Sequence, residues 1–297
     1  MAIAAAVVTN RVRFGLGVAY GLSAGVLLST GGIALRLVEG ASGWQILFYR
    51  ALSFTVLMLL VLGLRYGLSA LRTTRAVGWS GVFVALLLGC GAIAYVFAIL
   101  HTSVANVVVL LSTGPLVTAL LARVLLGERA DTFTWLAMGA VVAGVLVMFA
   151  DGVRGEGAVG LAIAMIAVLM YASMLVILRR TRGRDMLPAT ALSGPVTLIV
   201  AWIMLEGFAV SERDLLISVF LGTVQFGLGF MLITLATRHV PAAQVALLTL
   251  SEAVLAPIWV WIAFGELPTQ LGMIGAAVVL LAVSAQACWA LSRGPPS

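Results

Sequence analysis

Apolar residues run through this chain almost without pause, and the polar breaks between the runs are short. A helix needs about 20 apolar residues to cross a bilayer core of roughly 30 Å. Ten such runs stand out, at 14–34, 44–63, 77–99, 104–126, 132–150, 157–178, 187–207, 214–236, 242–264 and 269–291, called spans 1 to 10 below. Period-2 alternation is absent, which argues against a barrel of strands. The pattern predicts an all-α membrane protein of ten transmembrane helices. The first run follows Arg11 and Arg13 and is about 21 residues long, beyond the roughly 7–15 of a signal-peptide core. It reads as a retained first helix.

The pattern also repeats. Shifting the chain by 138 residues places Gly89 and Gly91 on Gly227 and Gly229, and Gly127-Glu128 on Gly265-Glu266. The only two histidines, His101 and His239, coincide as well, within nine identities over 40 positions. Each half, 1–150 and 151–297, holds five spans. Five is odd, so the second half is expected to insert upside down. A five-plus-five inverted-topology repeat is typical of secondary transporters, which bind substrate near the bilayer midplane and rock one half against the other.

Composition narrows the classes. Hydrophobic residues make up 63% and charged residues 9%. Soluble domains run about 45–50% and roughly 25%, and disordered chains are poor in apolar residues. All 17 basic residues are arginine. Without lysine there is no Walker P-loop and no Schiff-base chemistry, so neither a nucleotide nor a cofactor is expected. Cys90 and Cys288 are too few for a disulfide framework or a four-cysteine metal site. The net charge of +6 comes from arginines set in small clusters between apolar runs, which reads as membrane topology rather than nucleic-acid binding. With the N-terminus placed in the cytoplasm, thirteen arginines fall inside and three outside (Arg36, Arg154 and Arg213), with Arg50 within span 2. Both termini are therefore expected in the cytoplasm.

Several short stretches resemble the drug/metabolite transporter superfamily, EamA type. Gln45-Ile46-Leu47-Phe48-Tyr49-Arg50 is similar to its second-helix segment ending in arginine. Leu126-Gly127-Glu128 and Phe264-Gly265-Glu266 are similar to its two helix-four endings. Ser251-Glu252-Ala253-Val254 resembles its Glu-Pro-Val stretch, with alanine in place of proline. Leu28-Ser29-Thr30 resembles the Trp-Ser-Thr of its amino-acid exporter branch, with leucine in place of tryptophan. The resemblance implies export or exchange of small metabolites, many of them amino acids, through a central cavity. It also implies that the fifth and tenth helices sit outside that cavity.

Candidate chemistry gathers near the midplane. Glu252 lies some ten residues from either end of span 9, about 15 Å by helical rise. An acid at that depth costs about 2.5–3.5 kcal/mol on insertion scales and usually faces a cavity. It could bind a substrate ammonium, carry a coupling proton, or be a structural acid satisfied by helix ends. Pro115 and Pro257 interrupt spans 4 and 9 at related places, one helical turn apart after the shift. Interruptions in corresponding helices of two repeats point to a binding site. Ser112, Thr113, Thr249 and Ser251 lie beside them, either facing the cavity or bonding their own backbone. Gln225 in span 8, Ser29 and Thr30 in span 1, and the aromatics Tyr171, Trp259 and Tyr95 complete the candidate set. The aromatics could stack on a substrate or simply pack.

Other features read as structure. His101 and His239 lie at helix ends, where they could cap a neighbouring helix. Arg50 could snorkel outward or pair with Glu39. Gly21-Leu22-Ser23-Ala24-Gly25 matches G-x-S-x-G but lies inside an apolar helix, not in the strand-turn-helix of a nucleophile elbow. Gly17, Gly21 and Gly25 instead form a small-residue face for close helix packing, as do Gly81, Ala85 and Gly89. No enzyme activity is expected. The sequence predicts an inner-membrane exporter of bacterial type for small metabolites, with neutral or aromatic amino acids foremost. Its partners would be that small-molecule substrate, the lipid bilayer and, for a coupled mechanism, protons. The alternatives are a multidrug or other metabolite exporter of the same superfamily, and a channel-like passive pore.

Overall fold

The computed structural model describes residues 2–102, 104–148, 158–265 and 270–293. Their regular elements are all helical. They are α1 (Ala2–Arg36), α2 (Gly43–Tyr66), a short 3-10 turn (Gly67–Ser69), α3 (Ala70–Ala76), α4 (Gly78–His101), α5 (Val104–Ser112) and α6 (Gly114–Leu126). After these come α7 (Thr132–Met148), α8 (Ala158–Arg180), α9 (Leu187–Ile203), α10 (Glu212–Phe220), a π-helical segment (Leu221–Leu228) and α11 (Gly229–Ala236). The last three are α12 (Ala242–Thr249), α13 (Ser251–Phe264) and α14 (Gln270–Arg293).

Among the described residues, eight helical stretches are long and apolar enough to cross a membrane. Two shorter apolar helices, Thr132–Val147 and Leu187–Ile203, stand where spans 5 and 7 are expected. Span 7 stops at Ile203 rather than 207, because the chain turns at Met204 ahead of polar Glu206. Local chemistry sets several helix ends. Ser42 and Gln45 form a capping box at the start of α2, each satisfying the other's backbone N–H. Gly127 and Gly265 end α6 and α13 with φ of 70° and 68°, a left-handed turn that a side chain would strain. This is why the repeated Gly-Glu pairs carry glycine. Glu266 itself lies outside the described residues.

The surface carries many exposed apolar side chains, and polar ones are buried among the apolar core. Leu59, Leu64, Trp79 and Ile262 point outward, while Ser29, Thr118, Thr190, Thr197 and Gln286 are buried. That distribution suits a chain solvated by lipid, where hydroxyls and amides must find partners inside.

Helix packing follows the repeat. Span 3 (α4) packs on span 6 (α8) and span 7 (α9); correspondingly, span 8 (the π-helical segment and α11) packs on spans 1 and 2. Span 4 packs on span 6, as span 9 packs on span 1. Spans 2 and 7, 4 and 9, and 5 and 10 each pack on their own counterpart. Exchanging the halves leaves this list unchanged, as a two-fold relation requires. The strongest contacts all join one half to the other. The halves therefore interleave, each span packing mainly on spans of the other half.

Close approach rests on the predicted glycine faces. A Cβ at Gly17 would meet Val240 at 2.6 Å, one at Gly21 would meet Leu248 at 3.0 Å, and one at Gly25 would meet Ser251 Oγ at 2.1 Å. Likewise a Cβ at Gly89 would meet Val196 at 2.8 Å and the Ser193 carbonyl at 3.0 Å. Polar staples hold the two ends. At one end, the Asp214 carboxylate accepts from the backbone N–H groups of Glu39, Gly40 and Ala41 at 2.9, 3.1 and 2.9 Å. At the other, Asp185 accepts from the Tyr66 hydroxyl and pairs with Arg65 (3.0 Å) and Arg238 (3.4 Å). Beside it, buried Arg179 pairs with Glu128 at 2.6 Å and donates to the Thr237 carbonyl.

Candidate functional site

Spans 4 and 9 are both broken helices. The first break falls at Thr113, between α5 and α6, and Pro115 sits in the first turn of α6, where its missing N–H costs nothing. The second falls at Leu250, between α12 and α13, and not at the expected Pro257 seven residues later. The 138-residue shift carries Thr113 to position 251, so the two breaks agree within one residue. Hydroxyls flank the second. Thr249 Oγ1 donates to the Ala246 carbonyl at 2.9 Å and Ser251 Oγ to Leu248 at 2.9 Å. At the first break Ser112 donates to Val109 and Thr113 to Leu110, both at 2.6 Å. Such bonds, three residues back, compete with the helical ladder, and Ser29 and Thr30 make them inside unbroken α1 as well. Helix continues through position 257, but the Pro257 side chain lies outside the described residues.

The second break puts Glu252 in the first turn of α13, where the helix end favours a negative charge. Ion pairs among the described residues join Arg65 and Arg238 to Asp185, Arg179 to Glu128, and Arg213 to Glu39. Glu252 and Arg50 take part in none of them. Glu252 stands within electrostatic reach of the Tyr95 and Tyr171 hydroxyls, and Arg50 within reach of Tyr95. Tyr171 meets Thr249 Oγ1 at 3.1 Å across spans 6 and 9. Tyr171 and Thr249 thus meet directly with Glu252 close by, while Arg50 is linked to this group only through Tyr95.

The other candidates divide. Trp259 Nε1 donates to Ser29 Oγ at 2.8 Å, and Ser29 donates to the Val26 carbonyl at 2.6 Å. This pair ties α13 to α1. Thr30 donates to the Leu27 carbonyl of its own helix. Gln225 Nε2 donates to the Leu28 carbonyl at 3.3 Å, whereas its Oε1 is buried without a hydrogen-bond partner among the described residues. Gln225 lies in the π-helical segment, a wide turn that often accompanies a functional site. Tyr95 packs against the small cluster of Ala98, Val107 and Ala164. His101 Nδ1 contacts the carbonyl of Phe97 in its own helix at 2.9 Å, not the end of a neighbour. His239 lies outside the spans, its Cβ side turned to Gly17. Burial, with Arg238, Arg13 and Arg179 nearby, holds its imidazole below the usual histidine range.

Arg50 is placed otherwise than either sequence reading. Glu39 is taken by Arg213, so it does not serve Arg50. The guanidinium instead stands over the Phe226 ring, 4.3 Å from its centre. Seven residues into α2, it lies about 10 Å from the helix start. A charge in a span costs about 2.5–3.5 kcal/mol on insertion scales, of which a ring face returns about 0.5–2. Phe226 belongs to an aromatic row with Phe54 (5.2 Å) and Phe230 (4.4 Å), and Phe230 meets the Tyr171 ring edge-on at 6.3 Å. The π-helical segment sets this row. Gly222 lets it approach so closely that a Cβ there would stand 2.2 Å from the Arg50 carbonyl oxygen. The sequence signal for Arg50 is its depth; nothing in the pattern marks Phe226 or Phe230.

One protein of known crystal structure superposes on the chain with a TM-score of 0.79 at 19% identity, over 93% of this chain and 98% of that one, a likeness of fold. No curated protein matches the sequence. Two stretches, residues 15–150 and 158–285, each match the EamA-like transporter family. A family domain present twice in tandem, in a chain of apolar helices, makes this protein a member of the EamA-like transporters of the drug/metabolite transporter superfamily, and so a membrane transporter of small molecules.

Proposed function

We propose that the chain is a secondary transporter of the bacterial cytoplasmic (inner) membrane that exports small metabolites, with neutral and aromatic amino acids as its substrates. In this reading residues 1–150 and 151–297 are inverted five-span repeats, both termini are cytoplasmic, and access alternates around a cavity at the midplane. The observation that carries it is Glu252: a mid-span carboxylate on a helix break, with no cation paired to it among the described residues and two tyrosines in its field. Such a group suits a substrate ammonium or a coupling proton. The candidate contacts are Glu252, Tyr171, Thr249, Gln225 and Tyr95. Ser29, Trp259, Ser112, Thr113 and Ser251 shape the walls through the bonds they make within and between helices. The staples at the two ends are placed to act as gates, since opening either end requires parting one of them.

The test is uptake into proteoliposomes across a panel of amino acids, with and without a pH gradient. Saturable uptake with counterflow is expected, falling at least tenfold in Glu252→Gln. Full transport with an unchanged pH profile in that variant would remove Glu252 from the mechanism. Flux that never saturates and shows no counterflow would favour the pore. Uptake of drugs but of no amino acid would favour the multidrug reading.

A further inference from the structure

Arg50 is the other charge set deep in a span, and like Glu252 it joins no ion pair among the described residues. Its guanidinium borders a small internal space together with Phe54, Ala92, Gly194, Thr197 and Phe226. Thr197 donates to the carbonyls of Gly89 and Ser193, so its proton is committed. Arg50 is therefore the donor group in that wall. A ring face such as that of Phe226 attracts a cation but offers no carboxylate-type acceptor, so the five N–H donors of the guanidinium remain for another partner. A half-buried cation without an anion inside a span is costly, and its natural complement is an oxyanion.

We propose that Arg50 is the anion-binding half of the substrate site and holds the carboxylate of the transported molecule. This rests on, and deepens, the reading of the midplane as the substrate site. The planar guanidinium fork matches a carboxylate through two parallel hydrogen bonds. One guanidinium neutralises one negative charge. A phosphate dianion would keep a second charge among Phe54, Ala92 and Phe226. The space beside Arg50 is about 10 Å³, room for about one water, so a carboxylate enters only as the surrounding side chains give way. Tyr95 lies in the field of both Arg50 and Glu252. Arg50 for the carboxylate and Glu252 for the ammonium suit the two ends of a zwitterion, and the Phe226–Phe230–Tyr171 row offers its apolar part a wall.

The experiment follows thermal unfolding of the purified full-length protein with three probes: 3-phenylpropionate, its neutral amide and phenyl phosphate. The carboxylate is expected to raise the unfolding midpoint and the amide to leave it in place. The Arg50→Gln variant should bind the carboxylate at least tenfold more weakly, and Arg50→Lys should keep part of the response. Equal responses to acid and amide, an unchanged response in Arg50→Gln, or a stronger response to phenyl phosphate would each overturn the proposal. If Arg50→Gln fails to fold, the acid-against-amide comparison on the native protein and the Arg50→Lys variant decide. Proteoliposomes separate the two readings. Carboxylate-dependent stabilisation without transport of any amino acid would sink the proposed function and uphold the anion site. Uptake of amino-acid amides as fast as the acids would do the reverse.

Discussion

Gly222→Ala tests whether the π-helical segment must lie against α2. A Cβ at that position would stand 2.0 Å from Ser53 Oγ and 2.2 Å from the Arg50 carbonyl oxygen. The Ser53 hydroxyl can rotate away. The carbonyl is main chain, and reaching an ordinary contact near 3.4 Å requires the two helices to part by about 1 Å. Overpacking of this kind costs about 1–3 kcal/mol, which is about 5- to 150-fold in the folding equilibrium. The matched control is Gly139→Ala on α7, where an added Cβ meets nothing within 4 Å and should stabilise by about 0.5–1 kcal/mol. Equilibrium unfolding in detergent compares the two. Adding Ser53→Ala to Gly222→Ala should recover only part of the loss, because the carbonyl contact persists. The separation also moves Phe226 from under Arg50, so substrate affinity should fall along with stability. Equal stabilities for the Gly222 and Gly139 variants, or complete rescue by Ser53→Ala, would refute the argument.

Two further outcomes follow from the charges at the helix ends. Glu128→Ala strands Arg179, which is 6% exposed, and should cost about 3–5 kcal/mol, whereas Glu39→Ala breaks a pair whose members are 61% and 53% exposed and should cost about 0–1 kcal/mol; similar losses in the two unfolding curves would count against the assigned burial. The His239 imidazole is held below its ordinary value of 6.5, so the unfolded chain takes up a proton before the folded one does. Stability should therefore be complete above about pH 6.5, fall as the pH drops from there towards the folded value and level off below it, and His239→Gln should flatten that slope; a slope that survives the substitution places its source elsewhere.

Much of the fold was legible because lipid imposes a coarse rule. Ten apolar runs predicted the helices because each must satisfy its backbone internally, and helical segments stand at all ten places. The stripe of Gly17, Gly21 and Gly25 was readable too, since only small residues let α1 approach the second break so closely. The site was less legible. Pro115 announced the first break, but the second lies at Leu250, flanked only by Thr249 and Ser251, residue types that also occur in unbroken helices. Arg50 was misjudged because the sequence gives its depth and not its neighbours. Arg213 claims Glu39 from a position 174 residues away, and Phe226 comes beneath the guanidinium through a wide turn that Leu221–Leu228 does not advertise. The end staples were illegible for the same reason: Asp185 and Asp214 gain their meaning only once distant loops meet.

The interleaving of the halves bears on how the protein is made. Trp259 bonds to Ser29, 230 residues before it. At about 5–20 residues per second, span 1 waits about 10–45 s after its synthesis before that partner exists. During that interval the glycine face of α1 and the buried Ser29 hydroxyl stand without the surface that later covers them. Span 3 waits in the same way for spans 6 and 7. The first five spans therefore have no finished product of their own when they leave the ribosome. Their shape is completed only as the second half threads back between them, which ties correct insertion of either repeat to the arrival of the other.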